Sequence, residues 1–300
     1  MNNNLISILM PAYNCEKYIK LAIDSILGQT HTNFELLISD DCSTDNTKAI
    51  IDSYDDERIK RFHSSINLGY LKASNKLFEN CSGEFITFQD ADDFSDPKRF
   101  EKLLSFLLNN SEIYCVGSNI AKVDVDGREF FTSNFPQQHT EVLETFKDRK
   151  VVMTGSSLMV RKTVTDQIGF YNEYFDRLGS EDVYWFSLIL EKYKVANLPD
   201  VLYYYRANPS SVGSTFKDPR SKVLHNLSVK LFVERSNGNN DPIKNGNFNL
   251  ANKHCCSLLL IEEAKNKKVS AFFKSLSLFI WNWSLFKLYS KDFYYSLVKL

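Results

Sequence analysis

Four short apolar runs rich in β-forming residues recur at similar intervals near the start of the chain: Leu5–Met10, Phe34–Ser39, Arg58–His63 and Glu84–Phe88. The stretches between them carry a different period. Cys15–Gln29 places Tyr18, Ala22 and Ile26, and also Ile19 and Ile23, at helical spacing. Ser43-Thr44-Asp45 is a helix start leading into Thr47–Tyr54, and Leu68–Phe78 is again helical in spacing. Strands alternating with helices at this length imply βαβ units. The expected fold class is α/β, with a Rossmann-like, mostly parallel central sheet, helices on its faces and right-handed crossovers.

Such sheets bind ligands at the carboxyl ends of their strands. Those ends hold Pro11-Ala12-Tyr13-Asn14 after the first run and Asp40-Asp41 after the second. Asp90-Ala91-Asp92-Asp93 follows the fourth. Carboxylates distant in sequence should therefore meet on one rim. Like charges this close raise one another's pKa unless something neutralises them. The economical neutraliser is a hard divalent cation, held by few protein oxygens and shared with substrate phosphates. The alternatives are a solvated turn, or a cap for the helix that Asp96-Pro97 opens; for Asp40-Asp41, a turn ahead of a Ser43/Asp45 cap. The buried run before Asp90 favours the functional reading. No G-x-G-x-x-G follows the first run, and no Walker A lysine loop is present. A nucleotide on so acidic a rim needs a metal bridge.

Composition narrows the classes further. Three hundred residues suffice for one well-buried α/β domain plus an appendage, and 43% hydrophobic with 24% charged residues is ordinary for a globular protein. A net charge of −1 argues against general nucleic-acid binding. Cys15, Cys42, Cys81, Cys115, Cys255 and Cys256 form no CxxC pair and no zinc spacing, so reduced cytosolic thiols are expected. The first residues lack the features of a signal peptide, and no run approaches the roughly 20 apolar residues of a membrane span. A cytoplasmic protein is expected.

The second half is less regular. Ile113–Ala121 and Val151–Val160 read as strands, the latter passing through Gly155-Ser156-Ser157. Phe170–Asp182 is rich in turn and polar residues, and Val183–Leu190 reads as a helix with an acidic N-terminus. Val201–Arg206 is a last strand, and Ser236–Asn249 has the composition of a linker. Domains are expected at 1–216, divided near residue 95 into a nucleotide-binding half and an acceptor half, and at 217–300, a helical region.

PAYN at 11–14, DDCSTD at 40–45, NLGYLKASN at 67–75, QDADD at 89–93 and GSEDVYW at 179–185 occur in that order. Over about residues 5–215 the chain resembles the inverting, GT-A-fold glycosyltransferases of family 2, which include many bacterial enzymes of cell-surface polysaccharide assembly. The resemblance implies transfer of a sugar from a nucleotide diphospho-sugar, commonly a UDP-sugar, to a hydroxyl of a saccharide or lipid-linked acceptor, with Mg²⁺ or Mn²⁺. It implies that Pro11, Ala12 and Tyr13 line the nucleoside pocket and that Glu16 closes it. Asp41 would accept from the base, Asp90 with Ala91 would lie near the ribose, Asp92 would bind the metal, and Asp182 would be the catalytic base. Two departures stand out. The arginine often found in the third motif is replaced by Ser74, which makes Lys72 the candidate for that positive charge. A histidine often found after Tyr-Arg is replaced by Asn208. The rival readings are a sugar nucleotidyltransferase, disfavoured because Tyr13-Asn14-Cys15-Glu16 stands where such enzymes carry a glycine-rich basic loop, and a catalytically silent binding domain.

The carboxyl-terminal segment has its own character. Lys265–Leu300 holds seven lysines against one acid, Asp292, and Val269–Leu300 holds ten of the 41 aromatic residues. Lysines with Trp and Phe suit an interfacial helix on anionic lipid, and equally a packing or dimer helix. Peripheral contact with the inner face of the cytoplasmic membrane through residues 269–300 is one expectation.

Overall fold

The computed structural model describes residues 4–208 and 218–265; the expected membrane-contacting segment Val269–Leu300 lies outside the described residues. The chain divides into two compact units, one formed by Met1–Arg177 with Glu181–Thr215, the other by Leu178–Ser180 with Phe216–Leu300.

The first unit is built on a sheet whose two halves differ. Strands β1 (Ile6–Ala12), β2 (Phe34–Asp40), β3 (Ile59–His63) and β4 (Phe85–Phe88) are connected by helices α1 (Ile19–Leu27), α2 (Thr47–Asp52) and α3 (Tyr70–Asn80). They pair in parallel in the order β3-β2-β1-β4, with Ala12 beside Asp40 and Leu9 beside Phe88. All seven residues of β1 and of β2 are buried, as strands covered on both faces require. Helix α1 buries Ile19, Ala22, Ile23 and Ile26 against the sheet, which is the spacing the sequence predicts.

The second half is mixed. It consists of β5 (Phe94–Ser95), α4 (Arg99–Asn109), β6 (Ile113–Val123), β7 (Glu129–Thr132), α5 (His139–Lys147), β8 (Met159–Arg161), α6 (Lys162–Ile168), α7 (Glu181–Lys192) and β9 (Lys194–Arg206). β8 lies antiparallel between β4 and β6, β9 runs parallel to β6, and β5 and β7 pair antiparallel with β9 and β6. The expected strand Val151–Val160 is a strand only at its end. Gly155–Ser157 is a 3-10 turn, because Ser157 turns back to bond Thr154 O through both its amide (3.0 Å) and its hydroxyl (2.9 Å).

Helix α7 is packed by an aromatic cluster. Trp185, 1% exposed, lies 5.8 Å from Phe78 of α3, 6.0 Å from Phe88 of β4 and 5.7 Å from Tyr171 between ring centroids. Its indole N–H donates to Gly169 O (2.9 Å). Asn75 of α3 exchanges two hydrogen bonds with the Tyr171 backbone (2.8 and 3.0 Å), which ties the segment before α7 to the parallel half.

The second unit contains a 3-10 helix, Pro219–Lys222, and helices α8 (Leu224–Ser236) and α9 (Phe248–Lys265). The expected linker between α8 and α9 is an ordered turn. Asp241, 3% exposed, accepts from the Ile243 amide (2.8 Å) and forms a buried ion pair with Arg235 (2.5 Å). Composition alone hides such an anchor. Among the described residues, no helix is long and apolar enough to cross a membrane.

Candidate active site

The parallel half brings three loops to one edge. After β1, Pro11 and Ala12 are buried, Tyr13 is 46% exposed and Asn14 takes a left-handed conformation (φ 48°). This loop is laced to the one after β2. Asn14 N donates to Ser43 Oγ (3.0 Å) and Thr44 N to Asn14 Oδ1 (2.8 Å); Cys15 N donates to Thr47 Oγ1 (2.8 Å). Glu16 Oε2 accepts from the Asn46 amide and side chain (2.9 and 2.8 Å), so its carboxylate is engaged at the start of α2.

Asp41 is buried and joins the third loop. Its carboxylate accepts from the Leu68 and Gly69 amides (2.7 and 2.8 Å), while its own amide donates to Ala12 O (2.8 Å). Gly69 sits at φ 89°, a backbone that residues with a Cβ rarely adopt, so the turn needs a glycine. Lys72 is paired with Asp176 (2.7 Å) and largely exposed. The cation that reaches the Asn67–Gly69 loop is Arg177, which donates to Asn67 O and Oδ1 (2.9 and 3.1 Å). Sequence reasoning missed it, because Arg177 lies about a hundred residues downstream of the loop and belongs to no motif.

The three carboxylates after β4 have separate environments. Asp93 is 1% exposed and accepts from the Arg206 amide (2.7 Å); burial, then Asp90 and Asp92, push its pKa well up. Asp90 accepts from Ser156 Oγ (2.5 Å) and Tyr70 Oη (3.2 Å), and its amide donates to Tyr203 Oη (3.1 Å). Burial raises its pKa to about 6; Asp92 and Asp182 push the same way, while the Ser156 and Tyr70 hydrogen bonds oppose them. Asp92 is partly exposed and meets the Asn208 amide nitrogen at 3.2 Å. Beside it Ala91 is 6% exposed.

A cation is built in beneath them. Arg99 is wholly buried and donates to Gln89 Oε1, Ser95 Oγ, Thr87 Oγ1, Phe88 O and Ser156 O (2.6–3.3 Å), all neutral acceptors. Burial lowers its pKa to about 10, with Tyr203, Asp90 and Asp93 pulling it back up, so it remains charged at neutral pH. Arg206, 3% exposed, binds Asp92 O (2.9 Å) and the Asp124 and Val125 carbonyls (3.0 Å each). The sequence argument left the neutralising to a divalent cation alone; the fold supplies part of it. Nothing local in QDADD announces either arginine, although Arg99 follows Asp93 by less than two helical turns.

A metal remains compatible with the donors present. Among the described residues, no group of three or more His, Cys, Asp or Glu could enclose an ion. One accessible carboxylate, Asp92, with the Asn208 carboxamide against it, fits a cation that draws its other ligands from phosphates and water.

Asp182 comes from the mixed half, at the N-terminus of α7. Its Oδ1 accepts from the Val183 amide (2.8 Å), and its Oδ2 lies over Gly155. Glu181 beside it is pushed up to about 8 by burial, then by Asp182, Asp90 and Asp176. The tyrosines of β9 divide by face. Tyr203 is core, Tyr204 stacks on Phe94 (4.6 Å), and Tyr205 is half-buried, its pKa raised to about 12 by burial and by Asp90, Asp93, Asp92 and Asp182. Pro11, Ala12, Asp41, Asp90 and Asp92 thus occupy neighbouring strand ends, and Asp182 joins them through the Gly155–Ser157 turn. Lys72 points instead to Asp176.

The family model described as Glycosyl transferase family 2 matches residues 7–169. An uncharacterised glycosyltransferase of Haemophilus influenzae is 32% identical over 212 residues, which are 69% of this chain and 79% of that protein. The Escherichia coli UDP-Glc:alpha-D-GlcNAc-diphosphoundecaprenol beta-1,3-glucosyltransferase WfgD is 38% identical over 118 residues, 39% of this chain and 47% of WfgD. Among solved structures, residues 1–349 of S. aureus TarS in complex with UDP-GlcNAc share the fold at a TM-score of 0.64 and 21% identity, over 76% of this chain and 66% of TarS 1–349.

Proposed function

The chain belongs to glycosyl transferase family 2, and from that membership we propose that it transfers a sugar from a UDP-sugar to a hydroxyl of a saccharide, with inversion, in one displacement. The observation that carries this reading is the meeting of strand-end carboxylates with Asp182, through the Gly155–Ser157 turn that contacts both Asp90 and Asp182. Pro11, Ala12 and Tyr13 line the nucleoside pocket, and Asp41 accepts from the base with the lone pairs its two backbone donors leave free. Asp90 and Ala91 lie along the ribose. Asp92 would hold Mg²⁺ or Mn²⁺, which when bound neutralises the diphosphate as it leaves.

Asp182 takes the proton from the acceptor hydroxyl as the new bond forms. Glu181 beside it is raised by burial and by Asp182, so of its two forms the fold favours the protonated one, which does not compete for the acceptor proton. The acceptor in this reading is a saccharide or a lipid-linked saccharide, and the diphosphoundecaprenol in the name of WfgD supports the second.

A hydrolysis and transfer screen over UDP-, GDP- and dTDP-sugars, with and without Mg²⁺ or Mn²⁺, tests the proposal. UDP-sugar turnover that requires the metal is expected. Equal turnover without metal, or preference for another nucleotide, would overturn the corresponding assignment.

A further inference from the structure

The turn Gly155–Ser157 belongs to none of the motifs that mark the site, yet it touches both ends of it. A Cβ built on Gly155 would lie 2.7 Å from Asp182 Oδ2 and 3.0 Å from Asp182 Cβ. Close-packed atoms do not approach so closely, so a side chain at 155 must displace Asp182. Gly155 is not among the residues with positive φ. The glycine therefore answers to space and not to backbone conformation.

The next residue faces the other way. Ser156 donates its hydroxyl to Asp90 Oδ2 (2.5 Å), and its carbonyl accepts from the buried Arg99 (2.6 Å). The turn is fixed to the sheet within a few residues, since Met159 of β8 pairs with both Thr87 of β4 and Val116 of β6. Leu158 O also accepts from Thr87 Oγ1 (2.6 Å). The strand that leads to Asp90 therefore carries the turn against which Asp182 rests.

We propose that Gly155-Ser156 is a positioning device: Gly155 sets how closely Asp182 approaches the sheet, and Ser156 fixes the orientation of Asp90, so that base and donor-side carboxylate keep a constant spacing. Neither residue touches the reacting atoms. The proposal rests on the reading of Asp182 as base and of Asp90 as a donor contact.

The test separates binding from turnover, using UDP with Mg²⁺ as the calorimetric probe and the donor found in the screen for kinetics. Gly155→Ala is expected to lower kcat about 100-fold, as a misplacement near 1 Å does, while the Kd for UDP changes less than about threefold. Ser156→Ala should weaken UDP about tenfold, and Ser156→Thr, which keeps the hydroxyl, should restore it. Near-normal kcat in Gly155→Ala would sink the first half. Equal UDP affinity for the alanine and threonine variants would sink the second. Should Gly155→Ala not fold, the Ser156 pair still decides, because a merely structural role would not separate Ala from Thr in UDP affinity. A wild-type chain that binds no UDP overturns the functional reading and the device together; binding by wild type with unaltered variants overturns the device alone.

Discussion

In the parallel half of the sheet, β1, β2 and β4 run side by side, and their common direction alone delivers Ala12, Asp40 and the segment after Phe88 to one edge. In the mixed half parallel and antiparallel pairings occur together, and Asp182 reaches that edge through Trp185 packed on Phe78 and Phe88 and through its seat on Gly155. One half places its residues by topology, the other by side-chain contacts made across most of the domain. The donor side should therefore tolerate local change, whereas the base should fail when distant packing is disturbed.

The sharpest way to break this comparison is to remove one carboxylate from each half. Asp182→Asn is expected to lower turnover about 10³-fold with UDP affinity nearly unchanged, and Asp92→Ala to lower turnover as far while also weakening UDP binding in Mg²⁺. Titration calorimetry beside initial rates would expose an error if the Asp182 variant lost UDP affinity instead.

Next in size is the buried cation. Arg99→Met leaves Asp90 and Asp93 without their internal counter-charge and strands several acceptors, so a loss of about 3 kcal/mol is expected, or about 10 °C in melting temperature. An unchanged melt would mean that Arg99 carries little of the charge balance.

A smaller effect tracks pH. The folded-state pKa of Glu181 is raised from its ordinary 4.5 to about 8. The stability tied to its proton is full below the ordinary value and lost as pH rises towards about 8. Thermal melts of wild type should therefore fall across that window, and Glu181→Gln should flatten the slope; parallel curves would contradict the raised pKa. The smallest expected difference sets two cations apart. Arg177→Ala should weaken UDP binding about fivefold, roughly the worth of one hydrogen bond that shapes the Asn67–Gly69 loop. Lys72→Ala should change it less than about twofold, since an exposed ion pair carries little.

The parallel half was legible in the sequence because its strands are buried on both faces and its helices keep a clean period. Boundaries for β1, β2, β3 and β4 fall within two residues of the apolar runs. The mixed half resisted because β5 and β8 are two and three residues long, too short to show any period. Gly155-Ser156-Ser157 looked like strand because Val151–Val160 is mostly apolar, and only the fold shows that Ser157 closes a turn there. Motif order located Asp41, Asp90, Asp92 and Asp182, yet it was silent on Arg99, Arg177 and Ser156. Those three act largely through contacts with residues ten or more positions away, and a linear pattern does not encode such partners.

Arg99 has a consequence in time as well as in space. The arginine is enclosed when the chain folds, so its positive charge is set near Asp90 and Asp93 once, at the birth of the molecule, and not afresh in every catalytic cycle. An arriving donor meets carboxylates already held in place by Ser156, Tyr70 and the Arg206 backbone. Groups fixed before the donor arrives lower the reorganisation that the reaction itself requires.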